Sequence, residues 1–155
     1  MLTITRADFD DPALSVFLDD HLADMAPTAP PESQHALDLD ELDQPKVRLW
    51  VAHDGDVLVG TAALAELSHA HEELKSMRTD PSRRGAGIAS ALLAHLIEDA
   101  RSRAVERISL ETGSMEFFAP ARRLYARYGF TECEPFGSYI EDPNSIFMTL
   151  DQTLR

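Results

Sequence analysis

The chain opens on "LTITRA" (2–7), where apolar and polar side chains alternate with the period of a strand. From 10 to 26 the period changes. Leu14, Phe17, Leu18, Leu22 and Met25 recur at helical spacing, and Pro12 falls in the first turn, where a helix accepts it. "PTAPPESQ" (27–34) is broken by prolines into a loop, and "QHALDLDELD" (34–43) reads as a short acidic helix closed by Pro45. In "VRLWVAHDGDVLVGTAALAEL" (47–67) two apolar, β-branched runs flank "DGD", the composition of a tight hairpin, with Trp50 in the strand core. "HEELKSMRT" (71–79) predicts a further strand. "IASALLAHLIEDARSRA" (88–104) predicts an amphipathic helix with Leu92, Leu96 and Ala100 on one face. "RISLETG" (107–113) alternates again, and "APARRLYARYGF" (119–130) predicts a helix that begins near Pro120 and stops at Gly129. "TECEPF" and "SIFMTLD" supply a last antiparallel pair.

The implied order is β-α-α-β-β-β-α-β-α-β-β, with a β-α-β crossover in its second half. That order belongs to the α/β (α+β) class: a single mixed, mostly antiparallel sheet of six to seven strands, with helices on both faces. No repeat or linker divides it, so residues 1–155 read as a single domain.

Charge narrows the choice of partner. The net charge of −13 opposes nucleic-acid binding, which calls for a basic face. Residues 1–74 hold sixteen acids and three bases, whereas 75–127 hold ten bases and six acids. Positive charge therefore gathers around the glycine loop "RRGAGIAS" (83–90), as an anionic ligand of modest size would require. No apolar run approaches the roughly 18–20 residues of a membrane span. The N-terminus lacks the basic and apolar regions of a secretory signal, and the lone Cys133, a packing residue, has no disulfide partner. These features predict a cytoplasmic protein without membrane partners.

The loop itself has the chemistry of a phosphate grip. N–H groups at the start of a helix lack intrahelical partners and carry the positive end of its dipole. Gly85 and Gly87 remove side chains from their approach, and Arg83 and Arg84 add positive charge. A Walker loop is excluded because it needs a lysine after its second glycine. The dinucleotide fingerprint is approached by Gly85-Ala86-Gly87-Ile88-Ala89-Ser90, with Glu111 at a later strand end, but "DPSRR" separates the preceding strand from the first glycine.

Three stretches, in order, resemble the GNAT superfamily of acyl-CoA-dependent N-acetyltransferases. "ELKSMRTDP" followed by "SRRGAGIASALL" is similar to its strand-loop-helix signature, Gln/Arg-x-x-Gly-x-Gly/Ala; "RISLETG" matches its next strand; "ARRLYARYGF" matches its A-x-x-L-Y-x-x-x-G-F helix and turn. There are two departures. With Gly85 and Gly87 as the motif glycines, its first position is Ser82, whereas reading from Arg84 restores the match through Gly87 and Ala89. Phe118 stands where an asparagine often contacts the pantetheine arm.

The resemblance implies a sheet splayed at its central strands, usually with a bulge, and acetyl-CoA as cosubstrate without a metal. The amides of Arg84, Gly85, Ala86, Gly87, Ile88, Ala89 and Ser90 would hold the pyrophosphate. The backbone of Met77, Arg78 and Thr79 would pair with the pantetheine like an added strand and polarise the thioester carbonyl. Tyr125 would protonate the departing thiolate. Glu73 is the first choice for the base, with Glu111 on the adjacent strand as the fallback and Glu72 on the opposite face. The implied reaction is direct attack by a primary amine of a small molecule within one ternary complex; the implied assembly is a homodimer. Lys75 and Arg78 lie at opposite parity, so one of them could hold an acceptor's carboxylate; the acidic N-terminal half would equally suit a polyamine or a protein N-terminus. His69 and His71 share a strand face but lack further metal ligands, which favours surface or pH-tuning roles. A non-catalytic acyl-CoA-binding sensor or interaction protein is the rival on the same fold, kept open by Phe118, and an acyl donor larger than acetyl is a third possibility.

Overall fold

The computed structural model describes residues 1–28, 30, 35 and 37–153. Its strands are β1 (Leu2–Arg6), β2 (Val47–Asp54), β3 (Val57–Ser68), β4 (His71–Thr79), β5 (Arg107–Gly113), β6 (Thr131–Glu132) and β7 (Ser145–Asp151). The helices are α1 (Pro12–Met25), α2 (Leu39–Leu42), α3 (Ile88–Ser102) and α4 (Ala119–Arg127). Seven strands form one sheet in the order β1-β2-β3-β4-β5-β7-β6. Only β4 and β5 run parallel, joined through α3; every other neighbour is antiparallel. This is the mixed, mostly antiparallel sheet that the hydrophobic pattern predicts.

Two boundaries differ from expectation. The acidic helix is a single turn, Leu39–Leu42, held by reciprocal bonds between Asp38 and Glu41; residues 34 and 36 of the expected span lie outside the described residues. So do 29 and 31–33 of the preceding loop. "TECEPF" pairs only over Thr131–Glu132, and the chain then leaves the sheet until Ser145.

Alternation along the strands sorts two cores. Leu49, Val51 and Ala63 meet Leu14 and Leu18 of α1 and Leu42 of α2. Trp50, Ala62, Leu64 and Leu74 point the other way, onto Leu92, Leu93 and Leu96 of α3 and Leu124 of α4. Each fully buried leucine contributes about 1.5–3 kcal/mol. Helix α3 lies so close to β3 that a Cβ on Gly60 would sit 2.8 Å from Ile88 Cγ2 and 2.9 Å from Leu92 Cδ1.

The sheet divides at its centre. β4 and β5 pair from His71 with Arg107 to Leu74 with Leu110, and no further. Beyond that point β4 continues along β3, while β5 continues along β7. A bulge marks the parting: Thr61 faces Arg78 and Ala63 faces Lys75, which leaves Ser76 and Met77 opposite one residue, Ala62. Ser76 takes a left-handed backbone (φ 54°), and its carbonyl accepts a 2.8 Å bond from Thr61 Oγ1. For a residue with a Cβ that conformation costs roughly 1–2 kcal/mol.

The extra residue corrects the expected parity of two cations. Regular alternation would send Lys75 and Arg78 to opposite faces. Instead both look toward α1: Lys75 lies opposite Ala63 of the α1 core, and Arg78 reaches Asp24 (2.8 Å) and the ring of Phe17.

Gly60→Ala is expected to lower stability by about 1–3 kcal/mol, because the added methyl must displace α3. Chemical denaturation of the two proteins checks this; equal midpoints would mean that α3 does not rest on β3 as closely as described.

Candidate functional site

The glycine loop follows β4 through one tight turn, Pro81–Arg83, which Asp80 caps by accepting from the Ser82 amide at 2.9 Å. Helix α3 begins at Ile88 after Gly87, and its first internal bond runs from the Ala91 amide to the Gly87 carbonyl. No side chain caps this end. Among the described residues, the amides of Arg84, Gly85, Gly87, Ile88, Ala89 and Ser90 have no main-chain acceptor, as the start of a helix dictates. Ala86 is the exception and corrects the expectation: its amide donates to the Arg83 carbonyl at 3.3 Å. Arg83 is also engaged, with Asp54 at 2.6 Å, whereas Arg84 lies over the ring of Phe117.

The two glycines also carry a backbone requirement. Gly85 (φ 83°) and Gly87 (φ 79°) adopt left-handed backbone, and a Cβ on either would meet no protein atom within 4 Å. Both positions therefore call for glycine on conformational grounds.

Beneath the loop runs a cleft of about 810 Å³, floored by Met77, Arg78 and Thr79 and bordered by α4. The Asp80 amide donates to the Val59 carbonyl at 2.8 Å. By alternation the Arg78 main chain also turns toward β3, so the amides of Met77 and Thr79 turn toward the open side. Arg78 can therefore line the cleft with its side chain but not with its amide. Among the described residues, three polar atoms on this stretch are buried without a partner: Ser76 Oγ, Arg78 Nε and Thr79 Oγ1. Free amides on one edge, orphaned polar atoms beside them and a helix start at the end of the cleft suit an elongated ligand that ends in phosphate.

Where β4 and β5 part, a smaller chamber of about 150 Å³ opens. Its wall carries Glu73 and Lys75 from β4, Glu111 from β5, and Tyr139 from the segment between β6 and β7. Tyr139 hydrogen-bonds Glu73, and the Lys75 ammonium donates to Glu73 (3.3 Å) and to Tyr139 (3.0 Å). Burial raises the Glu111 carboxyl above its ordinary range, partly offset by the Ser145 hydroxyl that donates to it at 2.7 Å. Glu72 faces away, as alternation predicts, in a bidentate pair with Arg103. His71 bonds Ser109 at 2.7 Å, and burial lowers its pKa. His69 is exposed.

His21, Met77, Phe118 and Tyr125 border both spaces and so mark where two ligands would meet. Tyr125 is buried, yet among the described residues its hydroxyl has no hydrogen-bond partner. Desolvation, and then the charge of Glu111, raise its pKa, so it keeps its proton. Phe118 packs against Gly113, where a Cβ would fall 2.1 Å from its ring.

The sequence reading missed Tyr139, His21 and His35. Tyr139 sits in a stretch without periodicity, where it touches His35, Phe136 and Phe147 through ring contacts. His21 did leave a signal: it lies seven residues after Leu14, on the buried stripe of α1.

Comparison with known proteins gives one family. The Acetyltransferase (GNAT) family profile matches residues 15–130. The uncharacterized N-acetyltransferase YsnE of Bacillus subtilis is 52% identical over 132 residues, covering 85% of this chain and 87% of that protein. A Klebsiella pneumoniae structure designated an acyl-CoA N-acyltransferase superposes with a TM-score of 0.81 at 29% identity, covering 98% of each chain. An aminoglycoside 6'-N-acetyltransferase solved with coenzyme A shares the fold (TM-score 0.74, 20% identity, 99% of this chain and 98% of that one).

His21 generates a prediction about stability. Desolvation first, then Arg78, lower its pKa from 6.5 to about 4, against the pull of Asp24. Above pH 6.5 the residue is neutral in both folded and unfolded chains and contributes nothing. Between 6.5 and about 4 the unfolded chain takes up the proton first, so stability falls with pH, by no more than about 3 kcal/mol. His21→Gln should flatten that part of the profile in denaturation series at pH 7 and pH 4.5; an unchanged slope would show that the imidazole charges freely in the folded protein.

Proposed function

This chain belongs to the acetyltransferase (GNAT) family, and from that premise we propose that it passes an acetyl group from acetyl-CoA directly to a primary amine of a small molecule. The cosubstrate supplies an acyl group activated as a thioester. The free amides at the start of α3, with Arg84 and Gly85, hold its diphosphate, and the amides of Met77 and Thr79 hold its arm on the open edge of β4. The reacting ends then meet beside Tyr125.

An incoming ammonium must lose a proton before it can attack. We assign that step to Glu111, whose burial raises its affinity for a proton, and give Glu73 the anchoring of Lys75 and Tyr139. The neutral amine forms the C–N bond, the C–S bond breaks, and the thiolate takes its proton from Tyr125, which regains one from the nitrogen as the amide forms. The balance is ammonium plus acetyl-CoA giving amide, free CoA thiol and one released proton. No acyl-enzyme is needed. The observation that carries this is the unpartnered Tyr125 hydroxyl at the junction of the two spaces; a protein that only bound acyl-CoA would have no use for a buried, protonated phenol there. A cytoplasmic location and a homodimer complete the proposal, on the lone cysteine and the family likeness respectively.

Tyr125→Phe is expected to lower kcat by about 100-fold or more while coenzyme A affinity, by calorimetry, stays within about twofold. Wild-type turnover in that variant would remove Tyr125 from the chemistry. Glu111 must be ionised to accept a proton, so kcat/KM should fall as pH drops through its raised pKa. Glu111→Gln should cost about 100-fold and abolish that acid limb, whereas an unchanged pH profile would return the role to Glu73.

A further inference from the structure

Lys75 and Glu111 are the first residues past the last shared pair of β4 and β5, Leu74 with Leu110. Both line the small chamber, on strands that are moving apart. The Lys75 charge acts on Glu111, yet among the described residues they form no ion pair within 4.0 Å. A cation and an anion thus face one another across an opening wedge. Lys75 is half-buried, with a side chain 11% exposed, and donates to Glu73 and Tyr139. An ammonium has three donors, and no described residue takes the third. That donor points a positive charge into the chamber, where a ligand's carboxylate can accept from it.

Size limits what can do so. The chamber's 150 Å³ equals the volume of an engineered cavity that holds benzene, so about six heavy atoms fill it. A folded aminosugar or a whole polyamine cannot be enclosed there. From this geometry we infer, resting on the acetyl-transfer proposal above, that the acceptor is a compact amino acid, its ammonium against Glu111 and its carboxylate against Lys75. Arg78 is the other cation of this face, but it lines the wider cleft and is tethered to Asp24 and Phe17. Glu73 completes the arrangement by fixing Lys75 in place, which leaves Glu111 to receive the proton.

The test measures thiol release from acetyl-CoA with amino acids of about six heavy atoms, each beside its carboxamide, and with spermidine and kanamycin. At least one amino acid should exceed its amide by tenfold or more in kcat/KM and exceed both larger amines. Lys75→Met should collapse the acid-to-amide ratio in kcat/KM from tenfold or more to near unity, whatever it does to the rate common to both. The acid-against-amide comparison on the wild-type protein needs no variant, so a Lys75→Met protein that fails to fold leaves it decisive. Amides used as well as acids, or spermidine or kanamycin preferred, would overturn the inference and leave the enzyme intact. Thiol release from no amine at all, with coenzyme A still bound in calorimetry, would overturn both.

Discussion

Beyond Leu74 and Leu110 the two central strands no longer pair, and the layout of the candidate site depends on that parting. Unpaired backbone groups inside a sheet are costly, so strands seldom separate without a cause and a use. The cause lies in the bulge at Ser76 and Met77, which bends β4 along β3 while β5 stays with β7. Its strain is accepted at one residue, Ser76, whose left-handed backbone is braced by Thr61. The use is an open strand edge whose amides end at the start of α3.

The same gap joins the two faces of the sheet. Tyr125 belongs to the core shared by α3 and α4, and Glu73, Lys75 and Glu111 look toward the α1 side. In a continuous sheet a layer of backbone would separate them. Here the phenol reaches the chamber and responds to the charge of Glu111. Burial does the rest of the tuning: it keeps Tyr125 protonated, lifts Glu111 toward the range useful in a base, and keeps His21 neutral.

Much of the frame was legible in the residues. Alternation and helical spacing located the hairpin, β4, α3, β5 and α4, because each of these elements buries one face against a large core. The glycine loop was legible because left-handed backbone and a bare helix start have few sequence solutions. Ala86 was not, since its bond to Arg83 is a local turn that glycine spacing does not encode. Nor was the pairing of Arg83 with Asp54, which joins the loop to the turn between β2 and β3.

By itself, then, the sequence determined the elements, their order, the glycine loop before α3 and the presence of a phenol and acids elsewhere in the chain. These rest on short-range rules, the periods of helix and strand and the conformations open to glycine. The tertiary structure alone decided which way Lys75 and Arg78 point, because a bulge resets alternation and arises only when β3 and β4 pair. It also decided that Tyr139 holds Glu73 across 66 residues of chain, and that Lys75 faces Glu111 without touching it. Such juxtapositions leave no periodic trace, since they are set by how far two strands diverge in space.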